Sequence, residues 1–362
     1  MRYSIAATVL MLATGCAGAT GAAAQDKPAR LKIGFVYIGS VGDGGWSYQH
    51  DQARKAIVKE FGDQVETTVL ENVGAGPEAE RSIEQLARAG NRLIFSTSID
   101  YMDVTIKVAK KYPGVRFELA TGTRREANVA TYSARFYEGR TIEGTIAAKM
   151  SKAGVIGYVG SFPVPEVVSD INATMLAAQK INPDIKLRIV WVNSWFDPGK
   201  EADAAKALLD QGADVIMHGT DSAATMRVAQ ERGALAFAHN ADMIKLGPKA
   251  QLTGIVADWT PYYLSRVRAA LGNAWTSGAT WGGLKDKMIL MAPYTNMPED
   301  VKTLAADTEA GIIDGSIRPF ACPILDQDGK EVECKGGDRL DDGQVLGMNV
   351  FVKGIDDRLP EK

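Results

Sequence analysis

Ser40–Gln49, SVGDGGWSYQ, lies between an apolar run, Leu31–Ile38 (LKIGFVYI), and a segment with helical spacing, Gln52–Phe61 (QARKAIVKEF). A glycine-rich turn between a first strand and a first helix falls at the carboxyl edge of a parallel sheet, where open α/β folds bind ligands. Trp46 is the unusual residue there: a large aromatic beside Gly42, Gly44 and Gly45, where no neighbour calls for so big a core side chain. Asp43, three positions earlier, is placed to accept hydrogen bonds beside the ring. This loop reads as one wall of a small-molecule site that stacks a flat ligand on Trp46; the competing reading is an aromatic that only packs the turn.

Outward from this turn, strand and helix alternate, as in a doubly wound parallel sheet. Strands are expected at Glu66–Leu70, Arg92–Thr97, Arg116–Leu119 and Val129–Tyr132, and a helix at Tyr101–Tyr112. The intervening GAGPEAERSIEQLARAG carries Pro77 at a first-turn position, Gly90 past its end, and an apolar face of Ala79, Ile83, Leu86 and Ala87. A second lobe repeats the plan. Helices at Thr141–Met150 and Val168–Lys180 alternate with strands at Val155–Val159 and Leu187–Val192. Then FDPGKEADAAKALLDQGADVIMHGTDS places Asp197 as N-cap, Pro198 at the first helical position and Asp214–His218 as a buried strand. Two copies of one unit predict two similar lobes with a cleft between them. Later come a strand at Leu252–Ala257, a helix at Tyr262–Trp275, Met288–Met291 and a helix at Glu299–Ile313. The Asp338–Gly347 tail reads as too polar for core. The expected division is 1–24 as a leader, 31–133 with 258–283 as one lobe, and 134–257 with 284–362 as the other.

The chain of 362 residues is 46% hydrophobic and 23% charged, ordinary for a soluble protein with room for two domains. With 41 basic residues against 44 acidic, it lacks the basic excess of a nucleic-acid binder. Arg2, the apolar Ile5–Ala13 and the small-x-small Ala22–Ala24 form an export signal. Plain cleavage there is preferred to lipidation at Cys16, because a lipoprotein signal usually has a larger aliphatic where this chain has Ala13. Cys322 and Cys334 remain. With Asp328 central in a three-residue hairpin loop and Gly329 left-handed, they face each other, and in an oxidising compartment they read as a disulfide. The three histidines form no metal motif, and no cofactor is expected.

The loops after strands bring further candidates: Ser98 and Tyr101, Trp195, Asp221, Asn240 and Asp242, and Asp258 with Trp259. Aromatics sandwiching a flat ring with carboxylates and amides at its rim suit a nucleobase. Each candidate has a plainer reading: Trp195 as sheet cover, Asp221 as a cap for a helix from Ser222, Asp258 and Trp259 as interface residues, His218 and His239 as satisfied edge histidines. Gly42-x-Gly44 starts like a dinucleotide fingerprint, but Ser47 replaces the third glycine and Trp46 blocks close phosphate approach. No G-x-S-x-G elbow is present. A secreted nucleoside hydrolase stays open, though nothing singles out a carboxylate pair for it, as does binding of a sugar or another polar nutrient.

The ordered set K-I-G-F-V-Y (Lys32–Tyr37), G-D-G-G-W-S (Gly42–Ser47), W-F-D-P-G-K-E-A (Trp195–Ala202), G-A-D-V-I (Gly212–Ile216), H-G-T-D-S (His218–Ser222) and D-W-T-P-Y-Y (Asp258–Tyr263) resembles the basic membrane protein family of ABC-transporter substrate-binding proteins, which includes purine nucleoside receptors. The resemblance runs from about Leu31 to the C-terminus. It implies a type I periplasmic-binding-protein fold, a purine ligand, no catalysis, an ABC permease partner, and an exported, periplasmic, monomeric protein. Asp43 and Trp46 match the family's aspartate and stacking phenylalanine; Ser47 stands where the family has asparagine. Trp195 or Phe196 matches its second aromatic. Of a later acidic pair only Asp242 is kept, and a ribose-linked lysine is replaced around Asp258–Trp259. Losing an acid and a lysine while gaining an aromatic points to a free base, adenine first, rather than a nucleoside.

Overall fold

The computed structural model describes residue 1 and residues 30–360. The expected leader features, Arg2, Ile5–Ala13, Cys16 and Ala22–Ala24, lie outside the described residues. Strands follow as β1 (Leu31–Val36), β2 (Val65–Leu70), β3 (Leu93–Ser96), β4 (Arg116–Ala120), β5 (Val129–Ala134), β6 (Val155–Gly160), β7 (Lys186–Trp191), β8 (Val215–His218), β9 (Leu235–Asn240), β10 (Gln251–Ala257), β11 (Ala279–Gly282) and β12 (Ile289–Met291). They form two six-stranded sheets, ordered β11-β5-β4-β3-β1-β2 and β12-β10-β9-β8-β6-β7. The ladders between these strands, among the described residues, are parallel except β12 on β10. Among the described residues the chain passes between the sheets after Ala134, after Ala257 and after Gly282.

The helices are α1 (Trp46–Phe61), α2 (Pro77–Arg88), α3 (Met102–Lys111), α4 (Phe136–Met150), α5 (Pro165–Ile181), α6 (Pro198–Asp210), α7 (Ala224–Arg232), α8 (Thr260–Leu271), α9 (Glu299–Asp314) and α10 (Asp342–Leu346). Local chemistry accounts for their ends. α2 starts on Pro77 and buries Ala79, Ile83, Leu86 and Ala87, the face its spacing predicts. At α6 the Asp197 carboxylate accepts from Lys200 N at 3.1 Å, with Pro198 in the first turn.

Several expected boundaries move. α1 begins at Trp46 rather than Gln52, because Asp43 collects the first free amides and lets WSYQ coil. α4 begins at Phe136, ahead of the expected Thr141, and α8 ends at Leu271, short of Trp275. β11, absent from the sequence reading, completes the first sheet against β5. The tail is not excluded from the core: Leu340, Val345 and Met348 are buried in it. The hairpin register holds, with Leu325 facing Glu331, Gly329 at φ 78° and Cys322 bonded to Cys334.

Candidate functional site

In each sheet the order runs outward in both directions from one neighbouring pair, β1 with β3 and β6 with β8. Helices therefore leave that pair toward opposite faces, and the loops after those strands part to leave a crevice. The two crevices meet in one cavity of about 520 Å³. Trp46 and Ser98 line it from the first sheet's crevice; Val164, Gly219 and Asp221 line it from the second, with Trp195 and Asn240 beside them.

Trp46 is 8% exposed, and its Nε1 donates to Thr97 O at 2.6 Å. Its ring meets His50 edge-on at 4.7 Å and Trp259 at 5.4 Å. Trp259 is fully buried, stacks on His50 at 5.0 Å, and does not line the cavity; it backs Trp46. His50 Nδ1 in turn meets Tyr263 Oη at 2.6 Å, and burial pushes its pKa well down, so the ring is neutral. The Trp46 face is thus held by a packed aromatic stack rather than by a mobile loop.

Of the other sequence candidates, Ser98, Trp195, Asp221 and Asn240 also line the cavity, whereas Asp43, Ser47, Tyr101, Asp242 and Asp258 do not. The Asp43 carboxylate accepts from Gly45 N, Ser47 N and Tyr48 N at 2.8, 2.8 and 3.0 Å, capping α1. Ser47 Oγ accepts from Gly39 N, and Asp258 Oδ1 from Thr260 N at the start of α8. Tyr101 is fully buried and donates to Val73 O. Asp242 is exposed and accepts from Ile244 N and Gln251 Nε2. These five shape loops and helix ends around the cavity.

The two halves touch across the crevice. Trp195 Nε1 donates to Asp100 Oδ2 at 3.0 Å, and Ser133 Oγ to Glu166 Oε2 at 3.2 Å. Asp221 Oδ1 accepts from Asn240 Nδ2 at 3.1 Å. Asn240 Oδ1 is buried and receives no hydrogen bond from any described residue.

Sequence reasoning passed over Glu166 and Asp170 on α5 and read His239, at the end of β9, as a satisfied edge histidine; all three line the cavity. Beneath them lies Arg140, wholly buried. Its Nε donates to Asp170 Oδ2 at 3.3 Å, its Nη1 to Glu143 Oε2 at 2.8 Å, and its Nη2 to His218 O and His239 Nδ1 at 2.6 and 3.0 Å. A guanidinium only donates, so His239 Nδ1 is the acceptor and its proton sits on Nε2. Burial, with Arg140 adding to it, pushes His218 down to about 3 and His239 well down. Burial raises the acids: Asp170 to about 6, Glu143 to about 7, and Glu166 to about 8 with help from the Asp170 charge. Asp221 is also held well above the usual carboxylate range by burial, then by Asp43, Glu201 and Glu166. The detectable signal was Ser169, Asp170, Asn172 and Thr174, polar residues crowded along a helix otherwise rich in apolar ones.

Three acids, Glu166, Asp170 and Asp221, share the cavity lining with exposed Arg125, and burial holds all three toward their neutral forms, so the wall offers hydrogen-bonding oxygens more than fixed charge. The described residues contain no cluster of three or more side chains able to hold a metal, and no helix among them is long and apolar enough to cross a membrane.

The family described as ABC transporter substrate-binding protein, PnrA-like, matches residues 30–319. A purine-binding protein of Brucella abortus (strain 2308) is 56% identical over 352 residues, 97% of this chain and 100% of that protein. A putative ABC transporter glucose-binding protein of Haloferax volcanii is 34% identical, covering 96% of this chain and 86% of its own. Among solved structures, an ABC transporter solute-binding protein from Aeropyrum pernix K1 superposes with a TM-score of 0.69 at 18% identity, over 81% of this chain and 94% of that one. One from Conexibacter woesei superposes with a TM-score of 0.64 at 20% identity, over 80% and 98%. These likenesses show the type I periplasmic-binding-protein fold.

Proposed function

The chain belongs to the PnrA-like family of ABC transporter substrate-binding proteins, and from that premise we propose that it captures a purine base, adenine first, and hands it unaltered to a membrane permease. One observation carries the reading. Trp46 from one half and Trp195 from the other reach a single cavity whose polar lining is rich in acceptors. A planar heterocycle gains stacking energy against such rings, about 1–3 kcal/mol per base. Asn240 spends its amide nitrogen on Asp221 and keeps Oδ1 for a donor. Asp170 Oδ1 is likewise buried without a partner among the described residues. Adenine, with its exocyclic amine and ring N–H, supplies donors to both kinds of group; hypoxanthine, with an oxo group in place of the amine, offers fewer. The Brucella relative's name, purine-binding protein, supports the same ligand class.

The capture is a hinged one. The base settles on one half, and the contacts from the other half form as the cleft closes, so binding shifts the population toward the closed form. The protein acts outside the inner membrane, as a monomer, without a cofactor, and performs no chemistry on its cargo. The residue divisions 31–133 with 258–283, and 134–257 with 284–362, are the two moving bodies.

Calorimetry with adenine, hypoxanthine, adenosine and glucose tests this. Adenine should bind most tightly and be recovered intact. Trp195→Ala should weaken it about 5- to 150-fold, the affinity equivalent of one stacking contact. Trp46→Ala should do the same, with Trp46→Phe as the milder variant because Trp46 also packs against His50 and Trp259. Tightest binding of glucose, the ligand named for the Haloferax relative, or an affinity for adenine indifferent to both tryptophans, would refute the proposal.

A further inference from the structure

The family match ends at residue 319, yet one wall of the cavity comes from beyond it. Gly343, Val345, Leu346 and Gly347, from α10 and the residue after it, line the same space as Trp46 and Asp221. Val345 is buried against the core, whereas Leu346 is 46% exposed. Tyr137 and Trp281 line the same cavity, and α10 packs on α5, whose Glu166 and Asp170 also line it.

A five-residue helix does not hold itself in place; here it is fastened from two sides. Asp341 and Gln344 form a capping box, and Gln344 also reaches the hairpin: its Nε2 donates to Glu333 O at 2.6 Å and its Oε1 accepts from Lys335 N at 2.9 Å. Those two backbone groups flank Cys334, whose bond to Cys322 closes the hairpin. On the other side, Asp342 takes both Arg135 Nη1 and Nη2, at 3.0 and 2.7 Å. Arg135 is the residue at which the chain first leaves one sheet for the other; its backbone N donates to Gly282 O and its guanidinium lies 4.0 Å over the Trp281 ring.

A cavity of about 520 Å³ falls within the roughly 300–1,000 Å³ of sites for drug-sized ligands, larger than a bare fused-ring base requires. We propose that Leu346 and Val345 are specificity-determining residues of this cavity, limiting what a purine carries beyond its rings, and that Gln344 with the Cys322–Cys334 hairpin positions them. The proposal rests on the purine reading above: with the rings between Trp46 and Trp195, a substituent on the base extends toward α10. Narrowing that end excludes substituted purines, and loosening it admits them.

The test measures adenine and adenosine affinities by calorimetry on the full chain carrying Leu346→Trp, Leu346→Ala, Gln344→Ala, or Cys322→Ser with Cys334→Ser. Leu346→Trp should raise the preference for adenine over adenosine about tenfold or more, adenosine weakening more than adenine. Leu346→Ala, Gln344→Ala and the cysteine pair should lower that preference. Leu346 is exposed enough that its replacement spares the fold, and a thermal melt of each variant confirms this. If neither Leu346 variant moves the ratio beyond about twofold, or both ligands weaken in parallel, α10 is not a selecting wall and the inference falls while the purine reading stands. If the folded wild-type chain binds neither ligand, both fall together.

Discussion

Gly45 offers a way to obstruct closure without touching the ligand. It is the residue before α1, and a Cβ built on it would lie 2.2 Å from the carbonyl oxygen of Asp221, which belongs to the other half. Carbon and oxygen ordinarily stop near 3.3 Å, so Gly45→Ala demands a retreat of roughly 1 Å at this point. The obstacle is backbone on the Asp221 side, held by its N–H to Trp195 O at 2.8 Å, and does not swing aside as a side chain would. The halves must therefore stop short, drawing out the Trp195–Asp100 and Ser133–Glu166 bonds that span the cleft. Held back by that much, the second half forfeits much of its stacking and dispersion contact with the ligand, so the expected loss of adenine affinity is about 10- to 100-fold, or about 1.4–2.8 kcal/mol. Each half keeps its own core, so the ligand-free melting temperature should move by less than about 2 °C. Calorimetry gives the first quantity and a thermal melt the second. Unchanged affinity would show that this contact plays no part in binding. A melting temperature that falls in step with affinity would show that the halves form one rigid body and that the closure argument is wrong.

Two further outcomes follow from buried acids. Glu118, fully buried on β4, accepts from Tyr262 Oη, Arg266 Nε and Trp275 Nε1 at 2.6, 2.6 and 2.5 Å. Glu118→Ala strands all three donors and should cost about 3–5 kcal/mol in urea unfolding, whereas adenine affinity of the folded fraction stays the same; a cost below about 1 kcal/mol would contradict the network's role. The second is a pH dependence. All three histidines, His50, His218 and His239, are held neutral by burial, so as pH rises past their unfolded pKa of 6.5 the unfolded chain loses their protons and they favour the fold, alike in wild type and in a Glu166 variant. Glu166, raised to about 8, holds a proton in the fold that the unfolded chain has released. The contribution of Glu166 itself to stability should then fall by about 1–2 kcal/mol as pH rises from 6.5 to 8, a slope superimposed on those of the histidines, Glu143 and Asp221. Glu166→Gln should flatten that slope in urea titrations at several pH values, and an equal slope in the variant would place the proton elsewhere.

The two-lobed plan was legible because it is written locally and twice. Pro77 and Pro198 open helices at matching places in the two halves, and each is followed by a glycine and a buried strand. What the sequence does not write is strand order, since β1 meets β3 through pairings some sixty residues apart, such as Ile33 with Leu93. That order decides which loops end up central. Trp46, Ser98, Trp195, Asp221 and Asn240 follow strands that it places at or beside the crevice, so a reading confined to strand ends could reach them.

The candidates that the cavity leaves out share a different cause. Asp43, Ser47 and Asp258 are of the types that cap helices and of the types that grip ligands, and both tasks ask for an oxygen beside free N–H groups. Asp43 shows how the choice is made: three amides within five residues claim its carboxylate before any ligand arrives. Only the path of the chain after Gly45 settles that, and the path depends on α1 starting at Trp46. The tail erred in the opposite direction. Its aspartates, glycines and glutamine read as solvent-facing, yet Gln344 and Asp341 satisfy each other's backbone, Asp342 is matched by Arg135, and Val345 faces the core. Polar residues that saturate one another let a short helix be placed against a cavity, so hydrophobic pattern alone undercounts the walls of a binding site wherever a wall is held by caps and ion pairs rather than by apolar burial.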